Sequence, residues 1–298
     1  MNWQDFSNHL QQILSLPIQI THAHSISGGD IHQAYQLQCQ NQDYFLKLNH
    51  LHSLPLFETE AHNLSAIVQS QSISCPKVIG FGEYRQYAWL LMEFLPFTHH
   101  GDDFQRGKDL AKMHHQLNQD NQPFGWFEDN YIGHTRQSNQ WHFEWTDFYA
   151  QQRLKPQLEL AQLNGASRLL YDNGMMLIEY LPHWFKDYSP KASLLHGDLW
   201  GGNSGFIKTE NSAPEAVIFD PASYYGDRET DIAMTELFGG FSQAFYQGYD
   251  DAFPLDSGYS SRKPLYNLYH ILNHYNLFGG HYESQASDVI KSLLSKVR

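Results

Sequence analysis

The chain has only two cysteines in 298 residues, Cys39 and Cys75, and they lie far apart in sequence. Two such residues build neither a disulfide framework nor a clustered metal site, and they fit a reducing cytosol. Positive charge is scarce as well: 19 Lys and Arg against 32 Asp and Glu leave a formal charge of −13 and a pI near 5.7. So few cations exclude a general nucleic-acid or anionic-membrane surface, although a locally positive cleft can still take a nucleotide. Long apolar runs are missing. The most apolar stretch, Tyr87 to Phe97, is interrupted by Glu93 and is too short to span a bilayer. The first residues lack the basic flank and apolar core of a signal peptide; Trp3, Phe6, Leu10 and Ile13 instead recur at helical spacing. The 18 histidines are scattered without a His-Glu-x-x-His pairing, and no G-x-x-x-x-G-K-[ST] loop occurs, which removes the zinc-protease and P-loop readings. Internal repeats and long low-complexity tracts are absent too.

What is present is a 41% hydrophobic chain, long enough for one two-lobed enzyme or two domain units with a large core. Its most informative segment is Leu194-Leu-His-Gly-Asp-Leu-Trp-Gly-Gly-Asn203, followed by Asp220 at the end of the apolar run Ala216-Val-Ile-Phe219. Phosphoryl transfer needs one carboxylate to orient a hydroxyl and accept its proton, and oxygen ligands for the magnesium that neutralises the phosphates. Asp198 suits the first task, Asn203 and Asp220 the second. Protein kinases carry H-R-D-x-x-x-x-N and then D-F-G at this spacing, where this chain reads H-G-D-L-W-G-G-N and D-P-A. Gly197 replaces the arginine that grips a phosphorylated activation loop, and Pro221 replaces the switching phenylalanine. Both changes point to a small-molecule kinase without that switch. Singly, each residue is equally an ordinary turn or strand cap.

Upstream, Ile18 to Ile26 and His32 to Gln40 read as strands joined through Ser27-Gly28-Gly29-Asp30. Gly28 and Gly29 would let backbone approach nucleotide phosphates, though any hairpin uses such glycines. Along Tyr44-Phe-Leu-Lys-Leu48, Lys47 projects opposite to Tyr44, Leu46 and Leu48, as an ATP-phosphate lysine on a third strand should. In the helix expected over Phe57 to Gln69, Glu60 shares the arc of Leu64 and Ile67 while Glu58 points away. A carboxylate on an apolar face wants a cation, so Lys47 is expected to pair with Glu60. Pro76 to Phe81 and Arg85 to Phe94 read as strands, the second halted at Pro96. The backbone of Glu93, Phe94 and Leu95 would then face the adenine edge, because groups at a strand end lack ladder partners.

In the larger half, Leu110, Met113 and Leu117 mark a helix, and Trp145 to Leu163 a longer one that Pro156 should kink or divide. Short strands Ser193–Leu195, Gly205–Ile207 and Val217–Phe219 flank the catalytic segment. Asp231 reads as a structural residue, a helix cap or a brace for the loop. Trp200 is either packed in the core or a platform for a sugar. Tyr266, His270 and His274 form a polar helical stripe, expected to be solvated. The expected architecture is α+β: a bilobal protein-kinase-like fold. Residues 1–94 form the ATP-binding lobe, an antiparallel sheet with one key helix, and residues 95–298 form a mostly helical catalytic and substrate-binding lobe.

The strings Leu195-His-Gly-Asp-Leu-Trp-Gly-Gly-Asn203 and Phe219-Asp-Pro-Ala-Ser-Tyr-Tyr-Gly-Asp227 resemble the fructosamine/ketosamine-3-kinase family. The resemblance extends to Phe57-Glu-Thr-Glu60, Phe124-Gly-Trp126, Asn139-Gln-Trp141, Trp145, Phe148-Tyr-Ala-Gln-Gln-Arg153 and Leu272-Asn-His274. Trp200 separates the chain from aminoglycoside and choline kinases of the same fold. The resemblance implies phosphorylation of the third-carbon hydroxyl of a ketoamine, small or protein-bound, with ATP and Mg2+. It implies Asp198 as base, Asn203 and Asp220 as magnesium ligands, Lys47 and Glu60 as phosphate clamp, and Trp200 and His274 as sugar contacts. Asp30 stands where some relatives have cysteine, which argues against redox control in that loop. A cytoplasmic monomer is expected. A kinase for an aminoglycoside, choline or free sugar is the alternative, and a pseudokinase scaffold a further one.

Overall fold

A computed structural model describes residues 1–26, 32–117, 123–209 and 213–297. The glycine turn with Gly28, Gly29 and Asp30 lies outside the described residues. The chain forms two compact units, Met1–Asp102 with Gly205–Asp220, and Asp103–Ser204 with Pro221–Arg298. The first unit therefore runs past residue 94 and also takes in a later segment.

The first unit opens with helix α1 (Trp3–Leu14), whose Asn2 cap accepts the amides of Gln4 and Asp5. Phe6 and Leu10 are buried, while Leu14 rather than Ile13 completes the packed face. Strands β1 (Ile20–Ile26), β2 (Gln33–Cys39), β3 (Tyr44–His50), β4 (Val78–Tyr84) and β5 (Tyr87–Glu93) form an antiparallel sheet in the order β1-β2-β3-β5-β4. Alternation along β3 sends Tyr44, Leu46 and Leu48 into the cluster with Phe6, Leu10 and Trp89. Lys47 faces the other side. That side is covered by helix α2 (Leu54–Ser70), which starts one turn earlier than its apolar spacing suggests because Pro55 is tolerated in a first helical turn. Phe57, Ala61, Leu64 and Ile67 bury its inner face, each large side chain contributing about 1.5–3 kcal/mol.

A short strand β6 (Phe97–Thr98) pairs with Ser204–Ile207, which in turn pairs with Glu215–Ile218. Two ties hold these strands in place: Lys208 N–H donates to Pro96 O at 3.0 Å, and Ile218 N–H donates to Ser74 O at 2.9 Å. They determine where Asp220 emerges.

The second unit is mostly helical. Its first helix, α3 (Asp103–His114), stops before Leu117, which lies exposed beyond it and bridges to Ser193. Just before Pro156 the expected long helix is divided, with α-helical stretches Trp145–Phe148 and Lys155–Leu163 on either side of a π turn. A wide π turn over Tyr149–Leu154 absorbs the missing proline N–H, and Arg153 Nη1 donates to Gln152 O at 2.9 Å. Short bridges then run from His142 to Phe124, Gly125 to Tyr225, Tyr225 to Leu194, and Ser193 to Leu117. This narrow ladder carries the chain into the His196–Asn203 loop.

Candidate active site

In the first unit, Lys47 is buried and its ammonium sits 2.7 Å from Glu60 Oε1 and 2.7 Å from Asp220 Oδ1. Burial alone would pull the Lys47 pKa down, but Asp220 and Glu60 outweigh it and raise it, so the lysine stays charged. Glu58, two residues earlier on the same helix, is exposed. Asp220 has φ of 58°, the left-handed region that Asp tolerates better than most residues, and its side chain is 47% exposed. Magnesium takes hard oxygen ligands, one or two from the protein and the rest from phosphates and water. An open carboxylate held by a lysine fits that use.

At the end of β5 the structure narrows the adenine-facing backbone expected of Glu93, Phe94 and Leu95. Glu93 N–H already donates to Lys77 O at 2.9 Å, and Leu95 O accepts from Phe97 N–H at 3.0 Å. Beyond the strand, the Phe94 and Leu95 amides make no backbone hydrogen bond among the described residues and are the donors that remain.

In the second unit, the loop bearing Asp198 is anchored from beneath. The Asp231 carboxylate accepts His196 N–H at 2.7 Å and Gly197 N–H at 2.9 Å. It also meets His114 Nε2 at 3.2 Å; a carboxylate only accepts, so Nε2 carries the proton. His114 Nδ1 then accepts from the Tyr249 hydroxyl at 2.7 Å, and that hydroxyl accepts from Arg228. Burial by itself would raise the Asp231 carboxyl, but His114, His196 and the Gly197 amide hold it below its usual value. Burial lowers the His114 pKa despite Asp231, leaving a neutral imidazole. Asp231 is thus a brace inside the helix Glu229–Leu237, not its cap.

Gly197 has φ of 86°, and a Cβ there would come 2.0 Å from Ala222 O. The departure from the protein-kinase arginine is therefore also steric. His196 Nδ1 receives the Asp198 amide at 3.2 Å, and Asn203 Nδ2 donates to Asp198 O at 3.0 Å. With its nitrogen committed inward, Asn203 has its amide oxygen to offer a cation. Among the described residues no group of three or more His, Cys, Asp or Glu is arranged to hold a metal by itself.

A family model for fructosamine kinase matches residues 2–296. The chain belongs to the fructosamine kinase family. It is 43% identical over 297 residues to a Vibrio parahaemolyticus protein named as a probable ketoamine kinase, covering 98% of this chain and 99% of that one. It is 37% identical over 282 residues to the chloroplastic protein-ribulosamine 3-kinase of Arabidopsis thaliana, covering 94% and 85%. The crystal structure of a fructosamine-3-kinase candidate from Haemophilus somnus superposes with a TM-score of 0.86 at 27% identity, over 98% of this chain and 97% of that one. An aminoglycoside phosphotransferase, at 14% identity and a TM-score of 0.62 over 96% and 98% of the two chains, shares the fold alone. The fold is accordingly that of the protein-kinase-like phosphotransferases, and the chain is a kinase.

In this fructosamine kinase family member Trp200 is not a core residue. Its side chain is 40% exposed and its ring lies over Gly202, where a Cβ would come within 2.3 Å of the indole. The expected solvated stripe on the helix Tyr259–Phe278 is overturned: Tyr266 and His270 are buried and His274 is half-buried. Tyr266 donates to Asp227, and burial drives the His270 pKa down to about 3. His274 donates from Nδ1 to His270 O at 2.8 Å and lies 4.5 Å from the Phe238 ring. The brace partners His114, Tyr249 and Arg228 escaped sequence reasoning. For His114 the available signal was a histidine on the same apolar arc as Leu110 and Met113.

Proposed function

We propose that this kinase transfers the γ-phosphoryl group of ATP to the third-carbon hydroxyl of a ketoamine, the sugar adduct that glycation leaves on lysine and other amines. The observation that carries the reading is the hold of Glu60 and Asp220 on buried Lys47. Phosphoryl transfer uses such a fixed ammonium to steady nucleotide phosphates. Similarity to proteins named ketoamine kinase and protein-ribulosamine 3-kinase supports the acceptor.

Asp198 would orient the attacking hydroxyl and take its proton. The transition state is loose, so placement matters more than basicity, and the Asp231 brace supplies placement by fixing the backbone at His196 and Gly197. Asp220 and Asn203 would be the magnesium ligands, and the ion would neutralise charge on the transferred group. The Phe94 and Leu95 amides would face the adenine edge. Trp200 and His274 would contact the sugar, the first as a flat apolar platform and the second through its Nε2.

The phosphorylated adduct would then break down and release the amine, which makes the reaction a deglycation. The two free thiols fit a reducing compartment such as the cytosol as its place.

The test is turnover with ATP and magnesium on ribulosamine, erythrulosamine and fructosamine derivatives of lysine, beside kanamycin and choline. Phosphorus NMR should find a monoester on the third carbon of a ketoamine. Turnover only on kanamycin or choline, or none at all, refutes the reading.

A further inference from the structure

The second unit exposes aromatic side chains that no step of the chemistry uses. Phe124 and His142 exchange backbone hydrogen bonds at 2.7 and 2.9 Å, making a two-stranded segment. His142 turns inward, where its ring accepts from Gln152 Nε2 at 2.9 Å. Its neighbours Trp141 and Phe143 take the opposite direction, as alternation in extended backbone requires, and are 44% and 79% exposed. Trp141 lies on the backbone of Gly125, where a Cβ would come 2.9 Å from the indole. Phe127, 62% exposed, adds a third ring beside buried Trp126.

The charge in the segment that carries these rings is mostly negative. Between residues 123 and 152 stand four carboxylates, Glu128, Asp129, Glu144 and Asp147, against a single cation, Arg136. That cation is held by Asp129 at 2.8 Å. Glu144 and Asp147, beside Phe143, are exposed. Exposed rings attract ammonium groups and the alkyl stems of lysine, and nearby carboxylates reinforce the attraction. Acidic peptides are repelled.

The segment also continues the catalytic loop's own ladder. Gly125 and Tyr225 exchange hydrogen bonds at 3.0 and 2.8 Å, and Tyr225 pairs with Leu194, four residues before Asp198. Two strand spacings place Gly125 about 10 Å from Leu194.

Resting on the ketoamine reading above, we infer that the Phe127, Trp141 and Phe143 surface docks a lysine-rich segment of the glycated protein that carries the substrate. The site would distinguish protein-bound substrates by their sequence context, while a free glycated lysine would not need it.

The test uses the full chain and three substrates: ribulosylated Nα-acetyl-lysine, a lysine-rich peptide with one ribulosylated lysine, and an acidic peptide of equal length. The lysine-rich peptide should have a KM about tenfold below that of the acidic one, the scale of one or two desolvated cation–ring contacts. Phe143→Ser combined with Glu144→Lys should erase that difference through KM, leaving kcat and turnover of the small substrate unchanged. Equal KM values for the two peptides in the unsubstituted protein, or variants that reduce all three substrates alike, overturn the inference. So does a concentration-dependent dimer in sedimentation that Phe143→Ser disperses, which would assign the rings to a second copy of this chain. Should no substrate turn over, the ketoamine reading fails separately. Fluorescence anisotropy with the unmodified lysine-rich peptide then decides: weaker binding by the double variant upholds docking, and equal binding rejects it.

Discussion

Lys47 and Asp220, separated by 173 residues in sequence, form an ion pair of 2.7 Å within one compact unit. The pair exists because the strand ending at Ile218 is tied to Ser74 O, which returns the chain to the sheet that carries Lys47. Glu60 then holds the same ammonium from α2.

Removing the charge of Glu60 should release Lys47 toward Asp220. Glu60→Gln is expected to lower kcat/KM for ATP at least about tenfold, the effect of mispositioning one charge. It should also cost about 1–3 kcal/mol, since a buried charged hydrogen bond is weakened. Glu58→Gln, exposed on the same helix, serves as control and should change neither quantity in nucleotide kinetics and urea unfolding.

The Asp231 brace predicts a different pattern. Asp231→Ala leaves the amides of His196 and Gly197 and the His114 ring without their acceptor, at a cost of about 1–3 kcal/mol for each buried donor left unsatisfied. The milder Asp231→Asn should fold, with kcat reduced about a hundredfold through lost placement and KM for ATP little altered. Steady-state kinetics paired with thermal unfolding separates the two effects.

How far these features were legible in the sequence follows from the range of the forces involved. Periodicity alone separated Glu60 from Glu58, because a helix of known phase fixes which carboxylate faces the apolar arc. It also placed the strands around Lys47. Distant pairings left no such trace: nothing local says that His114 meets Asp231, or that Asp220 reaches Lys47 as well as closing its own strand. The stripe Tyr266, His270 and His274 misled because polar letters look solvated, whereas Tyr266 satisfies its hydroxyl on Asp227 inside the core. At Pro156 the cost of the missing N–H was foreseen, but not its absorption by a π turn and Arg153.

Trp200 is exposed, so its removal should cost little stability. Trp200→Ala is expected to leave unfolding within about 0.5 kcal/mol of the unsubstituted chain. The KM for the ketoamine should rise about tenfold or more, the loss of one aromatic platform, with the KM for ATP unchanged. Calorimetry and kinetics on the same preparations check both halves.

The depressed pKa of His270 makes stability depend on pH in a stated direction. Burial holds the folded-state value near about 3 against an ordinary value of 6.5, so the folded chain requires the neutral ring. The resulting stabilisation is complete above pH 6.5 and is lost as pH falls toward about 3. The slope is at most about 1.4 kcal/mol per pH unit for this group. Below pH 6.5, unfolding free energies of His270→Gln should fall less steeply than those of the unsubstituted chain by up to that slope, as denaturant titrations across the range would record.

The central claim is that Asp198 directs a ketoamine hydroxyl at the γ-phosphorus of ATP. The most direct measurement is the single-turnover rate of phosphate transfer to a ribulosamine by Asp198→Ala, with circular dichroism to establish that the fold persists. The account predicts a fall of at least about 10²–10⁴-fold, the range for a positioned general base, with ATP binding retained. A folded Asp198→Ala protein that transfers phosphate at the unsubstituted rate would contradict it.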